Sequence, residues 1–304
     1  MKPMIKSVLK GLTAVIGLAI ATVATYVWVQ VSRFDSSLEK VYDVPASPLA
    51  ASTDPAVIAR GKHIVESLGG CSSAPCHGPD LGGGKPFDMG PVMSFAGPNI
   101  TMGGLGLAYS DGELARLVRH GLKKDGRSVR FMPVEEISWL PDPDVLAIVS
   151  YLRVAPPVDR PNGTTVIHTL GKVLDRRGDL VIDVARHIAA APVDEAPPPA
   201  PTAEYGAFMA RLCKGCHGET LSGGPIPAAP PSLPIPLNLT PDATGLKDWT
   251  FDDFEKLMRT ATRKNGKALN PFMPVESWRN FDDVEMHALW AYLRTVPPLA
   301  FGNR

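Results

Sequence analysis

Four landmarks of this 304-residue chain recur in its second half, in the order in which they occur in the first. Cys71-Ser-Ser-Ala-Pro-Cys76-His77-Gly78 is echoed by Cys213-Lys-Gly-Cys216-His217-Gly218, and Asn99-Ile100-Thr101 by Asn238-Leu239-Thr240. Phe131-Met132-Pro133-Val134-Glu135 returns as Phe272-Met273-Pro274-Val275-Glu276. Tyr151-Leu152-Arg153 returns as Tyr292-Leu293-Arg294, each with Pro-Pro shortly after it. The offsets are 140 at Cys76/Cys216, 139 at Asn99/Asn238, and 141 at Met132/Met273 and Tyr151/Tyr292. Self-similarity at one period means a single structural unit built twice. The units are placed at residues 50–157 and 202–298, each of about 100 residues.

Composition narrows what such a unit can be. Proline accounts for 31 of the 304 residues, roughly twice the usual ~5%, and sheets accept internal proline poorly. Short helices joined by long loops are expected, an all-α fold. Lys plus Arg and Asp plus Glu both number 31, a balance that argues against a nucleic-acid binder, which would show a basic excess. Four cysteines are too few for a disulfide scaffold of this size.

Leu12 to Val31 contains no Asp, Glu, Lys or Arg. At 1.5 Å per residue this run makes a helix about 30 Å long, the thickness of a bilayer's hydrocarbon core. Lys2, Lys6 and Lys10 precede it and hold the terminus cytoplasmic. Residues 1–35 are therefore expected to be a signal-anchor. A cleaved signal peptide ending at Ala19-Ile20-Ala21 is the competing reading, and ten mostly apolar residues after that site oppose it. Either way the rest of the chain lies outside the cytoplasm.

Inside each copy the ends are helical. Asp54-Pro55 opens a helix to about Leu68, and Ala203 its counterpart to about Leu212. Ser110-x-x-Glu113 and Asp282-x-x-Glu285 are capping boxes, and Asp142-Pro143 is an N-cap with proline at the first helical position. The Pro-Pro pairs end the last helices. Between the copies, residues 158–201 form a linker that closes in Ala196-Pro-Pro-Pro-Ala-Pro201, an extended spacer. Its middle, Leu170 to Ile188, contains a short helix of no evident role.

The chemistry lies in Cys213-x-x-Cys216-His217. Two thiols can add to the two vinyl groups of one haem while the next histidine meets the iron, which makes this motif a c-type attachment signature. Met273 follows His217 by 56 residues and Met132 follows His77 by 55. A methionine thioether completing the coordination raises the potential and leaves no open position for substrate. Most methionines fill cores, but the repetition of Phe-Met-Pro-Val-Glu at a matching distance singles these two out. Met93, Met102 and Met258 have no such partner and read as packing. His63, His120, His168, His187 and His287 likewise read as ordinary core or surface residues. Zinc on the four thiols would leave both trailing histidines and both methionines unexplained. Cys71 and Cys76 enclose four residues instead of two, so a disulfide or a single thioether stays open there.

With these motifs the chain resembles the dihaem membrane-anchored cytochromes c, built from tandem class I domains. The likeness runs from about Ala50 to Pro298 and is nearest to the cytochrome subunits of periplasmic dehydrogenases. The resemblance implies two covalently bound haem c groups. It makes Cys71, Cys76, Cys213 and Cys216 the attachment residues, His77 and His217 the proximal ligands, and Met132 and Met273 the distal ones. It also implies an electron-transfer protein and not an enzyme. The domains would lie in the periplasm on a single-pass anchor in a bacterial inner membrane, exchanging electrons with a dehydrogenase, a cytochrome bc complex or a terminal oxidase. The relatives often carry three haems where this chain has two modules. In layout alone it also resembles the dihaem subunit of cbb-type oxidases. A dihaem peroxidase needs a displaceable ligand, against which the equal Met132 and Met273 motifs speak; a haem-based sensor or structural subunit is a third reading. Lys123, Lys124, Arg127 and Arg130, with Arg259, Arg263, Lys264 and Lys267, precede the two methionines. They form either a steering ring for an acidic partner or solvated loops.

Overall fold

The computed structural model describes residues 2–74, 76–186, 195–227, 233–270 and 272–304. The first element is α1 (Lys2–Leu38), a single helix of 37 residues. Its Lys6–Leu38 portion is long and apolar enough to cross a membrane, and none of its apolar window is buried in the rest of the chain. The helix continues past the expected anchor boundary at residue 35. Its last two turns bury Phe34 and Leu38 against Met89, Val92, Met93 and Ile182.

In the first repeat α2 (Pro55–Glu66) begins where the sequence places it. The Asp54 side chain accepts from the Ala56 N–H, and Pro55 occupies the first turn, where a missing N–H costs nothing. After α3 (Leu105–Ala108), α4 (Asp111–His120) carries the expected Ser110/Glu113 capping box and stops at Gly121 in the left-handed region. A 3-10 turn, Val134–Glu136, follows Met132. The last helix, α5 (Asp142–Val154), is shifted by one residue from expectation. Pro141 sits at the cap and Asp142 inside the first turn, with no side-chain cap.

The intervening segment is folded, not merely extended. It contributes α6 (Thr169–Arg177) and the 3-10 turn Val184–Arg186, and α6 packs along α1. Residues 187–194, including His187, lie outside the described residues. Short strands also appear, which the proline content did not suggest. β1 (Phe87–Asp88), β2 (Met93–Phe95) and β3 (Val166–Ile167) pair antiparallel in the order β1-β2-β3. The molecule is thus mostly helical with one small sheet.

The second repeat opens with α7 (Ala203–Met209), capped by Thr202. Helix resumes after Ala210 as α8 (Arg211–His217), so the helical stretch reaches beyond the expected end near Leu212 and takes in the Cys-x-x-Cys-His motif. Then come α9 (Phe251–Thr260), α10 (Val275–Trp278) and α11 (Asp283–Leu293), the last with the expected Asp282/Glu285 capping box.

In each repeat the first helix crosses the last, α2 on α5 and α7 on α11. Glycine permits both crossings: a Cβ at Gly61 would overlap the Ala147 carbonyl, and one at Gly206 the Ala288 carbonyl. The repeats are not independent globules. Ile64, Val65, Ile148 and Leu152 of the first share one buried cluster with Tyr205, Phe208, Met286 and Leu289 of the second.

Candidate functional site

Within each repeat the segment before Asn-x-Thr is tied to the Cys-His motif. In the second, α8 places Cys213, Cys216 and His217 at i, i+3 and i+4, on one helical face. The His217 ring presents Nδ1 to the Leu237 carbonyl at 2.7 Å. The next residue, Asn238, donates from Nδ2 to the Leu299 carbonyl (2.7 Å) and accepts the Thr240 N–H on Oδ1 (2.9 Å). Leu299 directly follows Pro297-Pro298, so the proline pair delivers the carbonyl that Asn238 needs.

The first repeat repeats this wiring. His77 Nδ1 lies 2.8 Å from the Pro98 carbonyl. Asn99 donates to the carbonyl of Val158, the residue after Pro156-Pro157, at 2.7 Å and accepts the Thr101 N–H at 3.0 Å. The Cys71–Cys76 interval differs, as its greater length demands: its described residues form turns, and the His77 N–H donates to the Cys71 carbonyl at 3.0 Å. Arg153 and Arg294 anchor both last helices, Arg153 to the Gly106 and Tyr109 carbonyls and Arg294 to the Leu246 carbonyl.

Burial lowers the basicity of both histidines, with the Pro98 and Leu237 carbonyls opposing it. With Nδ1–H given to a carbonyl, Nε2 keeps its lone pair for a metal. Burial raises all four cysteines, Cys71 and Cys213 to about 12 and Cys216 to about 11. The four sulfurs form no disulfides with one another. Met132 and Met273 are half-buried against the same cluster as Cys71 and Cys213. Each is followed by a tight turn through proline, with Val134 N–H to the Met132 carbonyl at 2.7 Å and Val275 N–H to the Met273 carbonyl at 2.8 Å. Imidazole and thioether suit haem iron and paired thiols suit its vinyl groups, so the residues present fit haem c.

Four of the eight basic residues before the methionines are engaged within the chain. Arg127 pairs with Glu39 at 2.8 Å, Lys124 caps the Ala108 carbonyl, and Lys264 holds Asp253 at 2.6 Å and the Asp248 carbonyl. Arg259 binds the Arg279 and Phe281 carbonyls. They fasten loops. The carbonyls of Pro98 and Leu237 were not predicted as part of the sites, since a backbone acceptor leaves no side-chain signature; only their position just before Asn-x-Thr marks them.

A family model for cytochrome c matches residues 205–297, and this part of the chain is a cytochrome c domain, the kind that holds haem c covalently. Among relatives, the gluconate 2-dehydrogenase cytochrome c subunit of Pantoea cypripedii is 38% identical over 107 residues, 33% of this chain and 24% of that protein. The cytochrome c subunit of the quinone-type alcohol dehydrogenase of Gluconacetobacter polyoxogenes is 36% identical over 105 residues, 32% of this chain and 22% of that one. The fructose dehydrogenase cytochrome subunit of Gluconobacter japonicus is 29% identical over 119 residues, 36% of this chain and 24% of its own length. The matches thus span less than a quarter of each of these relatives.

Proposed function

We propose that the protein is an electron carrier with two covalently bound haem c groups, one in each repeat, on a single membrane anchor. The reading rests on one observation above the others. In both repeats the histidine after the second cysteine turns Nδ1 to the carbonyl preceding Asn-x-Thr, which leaves Nε2 to coordinate. The first repeat enters through its likeness to the second, whose span is matched as cytochrome c. When bound, the haem supplies reversible one-electron chemistry at iron. Cys71 and Cys76, and Cys213 and Cys216, hold it by adding S–H across vinyl double bonds, with no atom lost. His77 and His217 are the proximal ligands. Met132 and Met273 complete the coordination, exclude substrate from the iron, and favour electron transfer over peroxidase turnover.

The anchor puts both repeats on the periplasmic face of a bacterial inner membrane, by the lysines that precede it. A dehydrogenase is the favoured donor, because the similar proteins are named as dehydrogenase subunits; a cytochrome bc complex or terminal oxidase stands as acceptor. The test is the intact mass of the full chain after expression with a c-type maturation system. Two haem additions are expected, and a single addition would refute the two-haem reading. Loss of the methionine-to-iron band from the oxidised spectrum of Met273→Ala is the companion check on ligation.

A further inference from the structure

Glu136 has no counterpart in the second repeat, where Ser277 stands 141 residues on. It ends the 3-10 turn after Met132, and that turn packs on α8 of the other repeat. Its Oε1 fills the space in front of Gly215, between Cys213 and Cys216, where a Cβ would overlap it. Trp139 closes the same contact, edge-on to Phe208 at 4.6 Å and beneath the Arg211 guanidinium at 5.4 Å. On the opposite side Ser277, uncharged, lies at Gly70 of the first attachment loop. The junction between the attachment loops therefore carries one carboxyl, on one side only.

That carboxyl is half-buried. Burial first, and then neighbouring Glu135, push it up to about 7, and nothing among the described residues donates a hydrogen bond to it. After burial, its charge is a further cause raising Cys213 and Cys216 in the second repeat, and it also acts on Cys76 in the first. Among the nearby charged groups, Arg304 opposes Glu136 at Cys216. Lys214 of α8 pairs outward with Glu219 at 3.0 Å, Arg304 donates to the Gly224 carbonyl at 2.8 Å, and Arg211 lies over the aromatic rings.

We propose that Glu136 sets the reduction potential of the second repeat and couples its reduction to proton uptake, an inference that rests on the two-haem reading. An anion beside the attachment loop stabilises the oxidised site, which carries one more positive charge than the reduced one. As the site gains one electron from its redox partner, the Glu136 carboxylate takes one proton from water and becomes a neutral acid, so the local charge is unchanged. Above neutrality Glu136 is ionised and holds the potential down; below it, the acid form lets the potential rise. A unit charge at the attachment loop, in an effective dielectric of ~20, changes such an equilibrium by on the order of tenfold.

The test is a spectroelectrochemical titration of the full-length, detergent-solubilised holoprotein at several pH values from about 6 to about 8, with dithionite as reductant. In the wild type, one of two midpoints is expected to fall as pH rises. Glu136→Gln should keep that midpoint at its low-pH value throughout, binding the electron about tenfold more tightly at the alkaline end. Glu135→Gln, altering an exposed neighbour, should retain the slope. Wild-type midpoints independent of pH overturn the inference without any variant, and so does a Glu136→Gln profile identical to the wild type. If the wild type carries fewer than two haems by mass, the proposed function falls, and this inference with it; two haems with flat midpoints defeat the inference alone.

Discussion

Asn99 and Asn238 carry more of each site than their size suggests. Both are almost fully buried, and each ties the segment bearing the histidine's carbonyl partner to the chain leaving the last helix. Removing the side chain strands the Thr240 N–H in a place without water, and an unsatisfied buried group costs about 1–3 kcal/mol. Asn238→Ala should therefore destabilise the second repeat by about 2–4 kcal/mol, read as a lowered melting temperature. The oxidised spectrum should change as well, because the Leu237 carbonyl no longer fixes the His217 ring. The sequence showed that Asn-x-Thr recurs; it held no sign of what the asparagine fastens, since its acceptors are backbone carbonyls some 60 positions away.

Among the elements, the repeats solve one problem with different residues. The turn after α4 is left-handed at Gly121, with φ 62° and ψ 32°. Its counterpart after α9 is Ala261, with φ 54° and ψ 27°. A side chain there costs about 1–2 kcal/mol, offset in part by the extra freedom glycine brings to the unfolded chain. Ala261→Gly should stabilise the protein by about 0.5–1 kcal/mol, measured by denaturant or thermal unfolding. Capping boxes were legible in advance because their signal is local: Ser110 with Glu113, and Asp282 with Glu285. The continuation of helix through Cys213–His217 and the three short strands were not. Their residues carry no periodicity of their own, and packing decides them.

Across the whole molecule, two contacts join parts that the sequence presents as separate. The end of α1 is clamped to α6, with Lys172 paired to Asp35 at 2.7 Å and Arg176 over the Phe34 ring. The repeats are thus held to the apolar helix by a packed joint. The repeats meet where His63 Nε2 lies 2.9 Å from both Glu285 oxygens. Arg60 bridges Asp144 (3.0 Å) and Glu285 (3.8 Å) nearby. The hydrogen bond to Glu285 raises His63 above its ordinary value, against burial and Arg60. A raised basic group stabilises the fold fully below its unfolded value, about 6.5, and that contribution is lost as pH rises through the folded value. The wild type should melt above His63→Gln in mild acid, with the gap closing on the alkaline side; a gap constant with pH in thermal unfolding would count against this contact.

The repeat, the paired cysteines each followed by a histidine, and the apolar stretch long enough for a bilayer were all legible in the chain itself, because each is a matter of residue type at a fixed spacing. Folding in three dimensions decided that the two copies share one core, that the linker docks the anchor, and that Glu136 of one copy stands at the cysteine loop of the other. Such contacts join residues far apart in sequence through burial and shape, which no local pattern encodes.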